Sequence, residues 1–196
     1  SAGRTRNPIA GDVSACVSGF GKTQTLHIFY SDSVDKDLRY ATYDGKVFKY
    51  EIIDGNGPAV NNYEDPIRVR TASDVSVSSA CSISSAGIQV FYRDESQGIL
   101  LGAVKAKSNP EWKYELVDGD RKTDDRTSGD VAFHLDALFD GKETILLYDS
   151  ILTINNRKEA TSGAIRVAKR TGLAASSWRY QTLDTSGSAI SVVGYD

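Results

Sequence analysis

The chain has 196 residues, 40% of them hydrophobic, and its 23 Lys and Arg against 26 Asp and Glu leave a formal net charge of −3. That length and apolar content suffice for a buried core and speak against disorder. The mild charge, with neither sign gathered in one half, speaks against a nucleic-acid surface, which needs a basic stripe, and no stretch nears the ~18 consecutive apolar residues of a membrane span.

Residues 1–11 read as an N-terminal segment. Met is absent, also from position 1, so either a leader has been removed or the chain is a piece of a longer one. A first unit, 12–73, holds four short β-rich runs at 12–18, 26–30, 38–43 and 48–54, with turn residues between them. Asp44-Gly45 separates the last two, and an Asp-Gly pair between β-rich runs signals a tight hairpin. Units at 74–129 and 130–187 repeat the pattern. Phe48-Lys49-Tyr50-Glu51-Ile52-Ile53-Asp54 returns as Trp112-Lys113-Tyr114-Glu115-Leu116-Val117-Asp118 and as Trp178-Arg179-Tyr180-Gln181-Thr182-Leu183-Asp184. The pairs Asp12-Val13, Asp74-Val75 and Asp130-Val131 are each followed 18 residues on by Tyr30, Tyr92 and Tyr148.

Asp-Val positions 12, 74 and 130 set periods of 62 and 56 residues, which suit four-stranded propeller blades better than helical solenoids. The second run of each unit (Ile28-Phe29-Tyr30, Val90-Phe91-Tyr92, Ile145-Leu146-Leu147-Tyr148) is apolar nearly throughout, which predicts burial on both faces, as between neighbouring blades. The expected fold is all-β: a β-propeller of three four-stranded antiparallel blades plus, at 188–196, the first strand of a fourth. A β-sandwich fits the short strands but not the repeat. The third unit carries extra residues at 150–163, expected as a long loop. Three blades do not close a ring, so a second chain or a continuation is expected to complete one of six or seven blades.

Catalytic signals are few. His27 and His134 sit in predicted strands without a further ligand, so neither points to zinc. Gly19-Phe20-Gly21-Lys22-Thr23 lacks the spacing and the helix of a phosphate loop, and no Gly-x-Ser-x-Gly elbow is present. The acidic loops at 32–37 and 118–125 have oxygen ligands enough for calcium, but interleaved Lys and Arg and a missing distal Glu break the EF-hand pattern; solvated turns are the expectation. Neither an enzyme nor a cofactor is expected. Cys16 and Cys81 lie 4 and 7 residues after their Asp-Val aspartates. They should therefore point to opposite strand faces, and no disulfide is expected. Aromatics recurring once per unit could stack sugar rings between blades or serve blade packing.

The unit LHIFYSDSVDKDLRYATYDGKVFKYEIIDG resembles the repeat of the fungal fucose-specific lectins and related bacterial propeller lectins. The resemblance implies sugar sites between adjacent blades, each using an Arg at the start of the second strand, a Glu on the third and a nearby Trp. The Arg position falls on His27, on Gln89, and on Thr144 or Ile145; the Glu position falls on Tyr40, Gly102 and Val167. Only the outer aromatic persists, as Phe48, Trp112 and Trp178. The expected function is non-enzymatic carbohydrate binding, with His27, Tyr40, Trp112 and Trp178 as candidate ligand contacts. The alternative is a protein-interaction or structural module of a larger assembly. The expected location is secreted or cell-surface.

Overall fold

The outer half of each unit shows why the sequence meanders. At the Asp44-Gly45 turn, the Asp44 carboxylate accepts the backbone N–H groups of Lys46 and Val47 at 2.9 Å each, which fixes the reversal. It joins β3 (Leu38–Tyr43) to β4 (Phe48–Asp54), and β1 (Ile9–Ser18) and β2 (Thr25–Asp32) complete an antiparallel sheet in the order β1-β2-β3-β4. The computed structural model describes residues 5, 7–55, 60–61, 68–70, 74–75, 77–120, 125–127, 130–154, 160–174 and 177–186. The second sheet holds β7 (Ser79–Ile83), β8 (Gly87–Asp94), β9 (Ile99–Ala106) and β10 (Trp112–Asp118). The third holds β11 (Asp130–Phe139), β12 (Glu143–Ile154), β13 (Ala160–Thr171) and β14 (Arg179–Ser186). Between the first two lies a short ribbon of β5 (Val60–Asn61) and β6 (Arg68–Arg70).

These are three propeller blades stacked face to face, each inner strand, β1, β7 and β11, lying beside the next. The strand expected at 188–196 lies outside the described residues. Each blade has a forward face, toward the next blade in the chain, and a back face. One apolar core lies between blades 1 and 2, around Phe29, Tyr40, Ile53, Val90, Tyr92 and Leu101. A second lies between blades 2 and 3, around Phe91, Val117, Leu146, Tyr148 and Trp178. Strand β8, with a neighbour on both sides, is buried at every position. In β12 the pattern alternates: Thr144, Leu146 and Tyr148 are buried but Leu147 is 43% exposed, because no described blade covers that forward face.

The recurrent tyrosines and aspartates are staples between blades. Tyr92 donates its hydroxyl to Asp54 at 2.8 Å and Tyr148 donates to Asp118 at 2.5 Å, joining each second strand to the end of the previous outer strand. Tyr114 and Tyr180 donate to the Ile53 and Val117 carbonyls at 2.7 and 2.5 Å. The glycines after those aspartates adopt left-handed backbone, Gly55 at φ 110° and Gly119 at φ 103°. Each donates its N–H to the Asp before it, at 2.8 and 2.7 Å, and a Cβ at Gly55 would stand 2.7 Å from the Asp37 Cα.

Four expectations change. First, Asp12-Val13 is not the counterpart of the other Asp-Val pairs. Val13 stands opposite Tyr30, whereas Ser79 stands opposite Tyr92 and Leu135 opposite Tyr148. The counterpart of Val131, opposite Ser150, is Ile9, opposite Asp32; a longer β1–β2 connection had absorbed the difference. Second, Cys16 and Cys81 form a disulfide, with Cα atoms 6.1 Å apart. The two do occupy opposite faces of equivalent strands, Cys16 opposite His27 and Cys81 opposite Val90. Stacked sheets meet forward face to back face, so opposite faces of adjacent blades are the ones that touch. Third, residues 150–163 are no loop at their ends: β12 and β13 continue as a hairpin, pairing Ile151 with Gly163 and Ile154 with Ala160. Fourth, the loop at 32–37 is not a set of solvated carboxylates. Asp32 and Asp37 are buried and, with Asp35, gather on Arg39 at 2.9, 3.0 and 3.1 Å.

Candidate functional site

Register places His27, Phe29, Tyr40 and Glu51 on the forward face of blade 1, and Cys81, Ile88, Lys105 and Trp112 on the back face of blade 2. Tyr40 stacks on Phe29, centroids 4.7 Å apart, and meets Trp112 edge-on at 5.5 Å. The Tyr40 hydroxyl and His27 Nδ1 are 2.6 Å apart, and His27 Nε2 lies 2.7 Å from Ser18 Oγ. Burial first, and then the Lys105 charge, hold His27 below its ordinary pKa, so a neutral imidazole links two hydroxyls. Burial also raises the Tyr40 phenol, with Glu51 adding to the rise. Lys105 reaches across the blades to Glu51 at 2.9 Å, and its ammonium lies 4.8 Å from the Trp112 ring centre. Beside this cluster opens a pocket of about 240 Å³, lined by Ser18, His27, Tyr40, Ile83, Ser84, Gly87, Ile88, Lys105, Ala106, Lys107 and Pro110.

Between blades 2 and 3 the same positions carry other residues and the inner groove is filled. Gly102 replaces Tyr40, and a Cβ there would lie 2.9 Å from Glu115 Oε1 and 3.2 Å from the Phe91 ring. Into that space comes Arg170 of blade 3, fully buried. It donates to Glu115 at 2.7 Å and to Gln89 at 2.5 and 3.2 Å, and covers Trp178 at 4.4 Å from its ring centre. Gln89 in turn donates to Thr144 at 2.7 Å. Burial raises the Glu115 carboxyl against the pull of Arg170. An ion pair so enclosed needs every partner it has. What stays open here is a separate hollow of about 370 Å³ toward the outer strands, lined among others by Ser108, Asn109, Glu111, Lys113 and Leu173.

Of the four candidate contacts, His27, Tyr40 and Trp112 therefore stand together at one groove. Trp178 stands in the other, 8% exposed, with a ring face given to Arg170 and an edge contact to Phe91 at 5.6 Å. Sequence reasoning missed the cations, Lys105 and Arg170, and their carboxylate partners, Glu51 and Glu115. A signal was present: a basic residue precedes each Trp, at 105 before 112 and at 170 before 178, and the motif of the preceding unit carries Glu at 51 and at 115. Elsewhere, His134 is exposed and paired with Asp149 at 3.0 Å. Among the described residues no cluster of His, Cys, Asp and Glu could hold a metal ion.

No protein-family model matches the chain, and no curated protein sequence does. Among solved structures, the fucose-specific lectin from Aleuria aurantia in its Hg-derivative form aligns with a TM-score of 0.46 at 12% identity, over 90% of this chain and 49% of that one. The chain spans about half the length of that structure, and the likeness is one of fold.

Proposed function

We propose that this chain is a non-enzymatic carbohydrate-binding propeller segment whose ligand site is the groove between blades 1 and 2. The observation that carries the reading is the open pocket there, whose lining joins the hydroxyl-bearing Ser18, Ser84 and Tyr40 to the apolar Ile83, Ile88 and Pro110. Such a mixture suits a sugar ring, whose C–H face wants apolar contact while its hydroxyls want fixed polar partners. The Ser18–His27 pair has the spacing of a nucleophile and its base, but the imidazole is oriented by a tyrosine rather than a carboxylate, which suits a binding wall better than acyl transfer. The disulfide fits an oxidising compartment and so supports a secreted or cell-surface location.

A broad glycan array probed with the complete chain is the direct test. Binding is expected, and Tyr40→Ala, checked for retained folding by circular dichroism, should lower it at least ~10-fold, since the ring forms one wall of the pocket. Silence across the array would sink the reading. The alternative, an interaction module, rests on the open forward face of blade 3, where Leu138, Leu147 and Leu183 are 52%, 43% and 55% exposed. A partner recovered by pull-down and held through these leucines would favour it.

A further inference from the structure

We infer that the groove between blades 1 and 2 selects sugars carrying an anionic group, a carboxylate or a sulfate ester, over neutral ones. This inference rests on the carbohydrate reading of the same groove and adds the ligand's charge class. The pocket is lined by two lysines and by no carboxylate, on a chain whose net charge is −3. Lys105 is shared with Glu51, which is itself 42% exposed and can turn outward. Lys107 is exposed and makes no ion pair among the described residues. Its backbone N–H donates to the Ala86 carbonyl at 2.9 Å, which places it beside the turn that forms the pocket edge. His27 adds no charge, being neutral and bonded at both nitrogens. An incoming anion therefore meets one unpaired ammonium and a second whose partner is replaceable, and a charge-assisted bond to either is stronger than a hydroxyl could make.

The equivalent groove supports the same logic from within the protein. There an acid from blade 2, Glu115, takes the blade 3 cation, Arg170, both buried, so that cation is not open to an anion. Between blades 1 and 2 the corresponding pair, Glu51 and Lys105, stays partly in solvent and leaves the pocket open beside it.

The test is a panel of matched glycans: glucose-, galactose- and mannose-terminated probes beside their uronic-acid and 6-sulfated counterparts, with the complete chain and with Lys107→Gln. The acidic member of at least one pair should bind roughly tenfold more tightly than its neutral partner. That ratio should shrink in Lys107→Gln and in high salt, where exposed charges are screened. Preference for uronic acids alone or sulfates alone would assign the anion. Equal binding of neutral and acidic partners, or a ratio unchanged by Lys107→Gln, would overturn the charge selection while leaving the carbohydrate reading intact. Absence of binding to every probe would overturn both.

Discussion

At the scale of single residues, the groove depends on a histidine that must stay neutral. The folded pKa of His27 lies below its ordinary value, so the unfolded chain takes up the proton first as pH falls. The sign follows: stability contributed by the neutral imidazole is present above about pH 6.5 and is lost as pH drops through that region. Other groups titrate nearby in pH. Burial raises Asp37 to about 6 against the pull of Arg39, which makes the fold lose stability as pH rises from about 4 to 6. The informative quantity is therefore a difference. The stability gap between the native chain and His27→Gln, by urea denaturation, should be smaller at pH 5.5 than at 7.5; a gap independent of pH would refute the neutral linkage. The tyrosine staples make a second prediction. Tyr92→Phe and Tyr148→Phe each strip a donor from a carboxylate, Asp54 or Asp118, that is 0% exposed. Each should cost about 1.5–3 kcal/mol. Tyr50→Phe, at the motif position of Tyr114 but with no hydroxyl partner among the described residues, should stay within about 0.5 kcal/mol.

At the scale of elements, the disulfide couples the inner strands of blades 1 and 2 across 65 residues of chain. Closing a loop of that size restricts the unfolded ensemble, so Cys16→Ser/Cys81→Ser should lose about 4 kcal/mol in chemical denaturation. Reductant should reproduce the loss in the native chain and have no effect on the double variant. This element also shows what the sequence makes legible. Strand order followed from local signals, such as the Asp-Gly turn and the continuous apolar runs, because each is decided within a few residues. The parity of Cys16 and Cys81 was readable too; what parity meant depended on how sheets stack, a relation between segments far apart in the chain. The groove was half legible for the same reason. His27, Tyr40 and Trp112 stood out by type and by place in the repeat. Lys105 and Arg170 did not, since a surface lysine and a fully buried arginine look alike until the facing blade is known to carry Tyr40 or Gly102. The hairpin at β12–β13 was read as a loop because its extra residues break the repeat, although Ile151 and Ile154 suit a strand as well as a connection.

At the scale of the molecule, the two outward faces decide what the chain does in solution. Phe29 and Phe91 are 0% exposed, as are Ile53 and Val117, yet their counterparts on blade 3, Leu147 and Leu183, are 43% and 55% exposed. On the back of blade 1 the mirror situation holds: Phe48, at the position of the packed Trp112 and Trp178, is 46% exposed, and Val13 and Val17 are 62% and 50% exposed. A forward face built like those that pack in blades 1 and 2, and a back face built like those that receive them, are complementary by repetition. Two such surfaces join head to tail, and a head-to-tail contact either closes into a ring or propagates. The isolated chain should accordingly self-associate with rising concentration, or bind a further chain that supplies the remaining blades, rather than stay monomeric. Light scattering during size exclusion would show masses above 21.3 kDa, and Leu147→Lys with Leu183→Lys on one face, or Phe48→Lys on the other, should each shift the mass toward the monomer. A native chain that remains monomeric and soluble at high concentration, without a further chain bound, would show that blade 3 needs no neighbour.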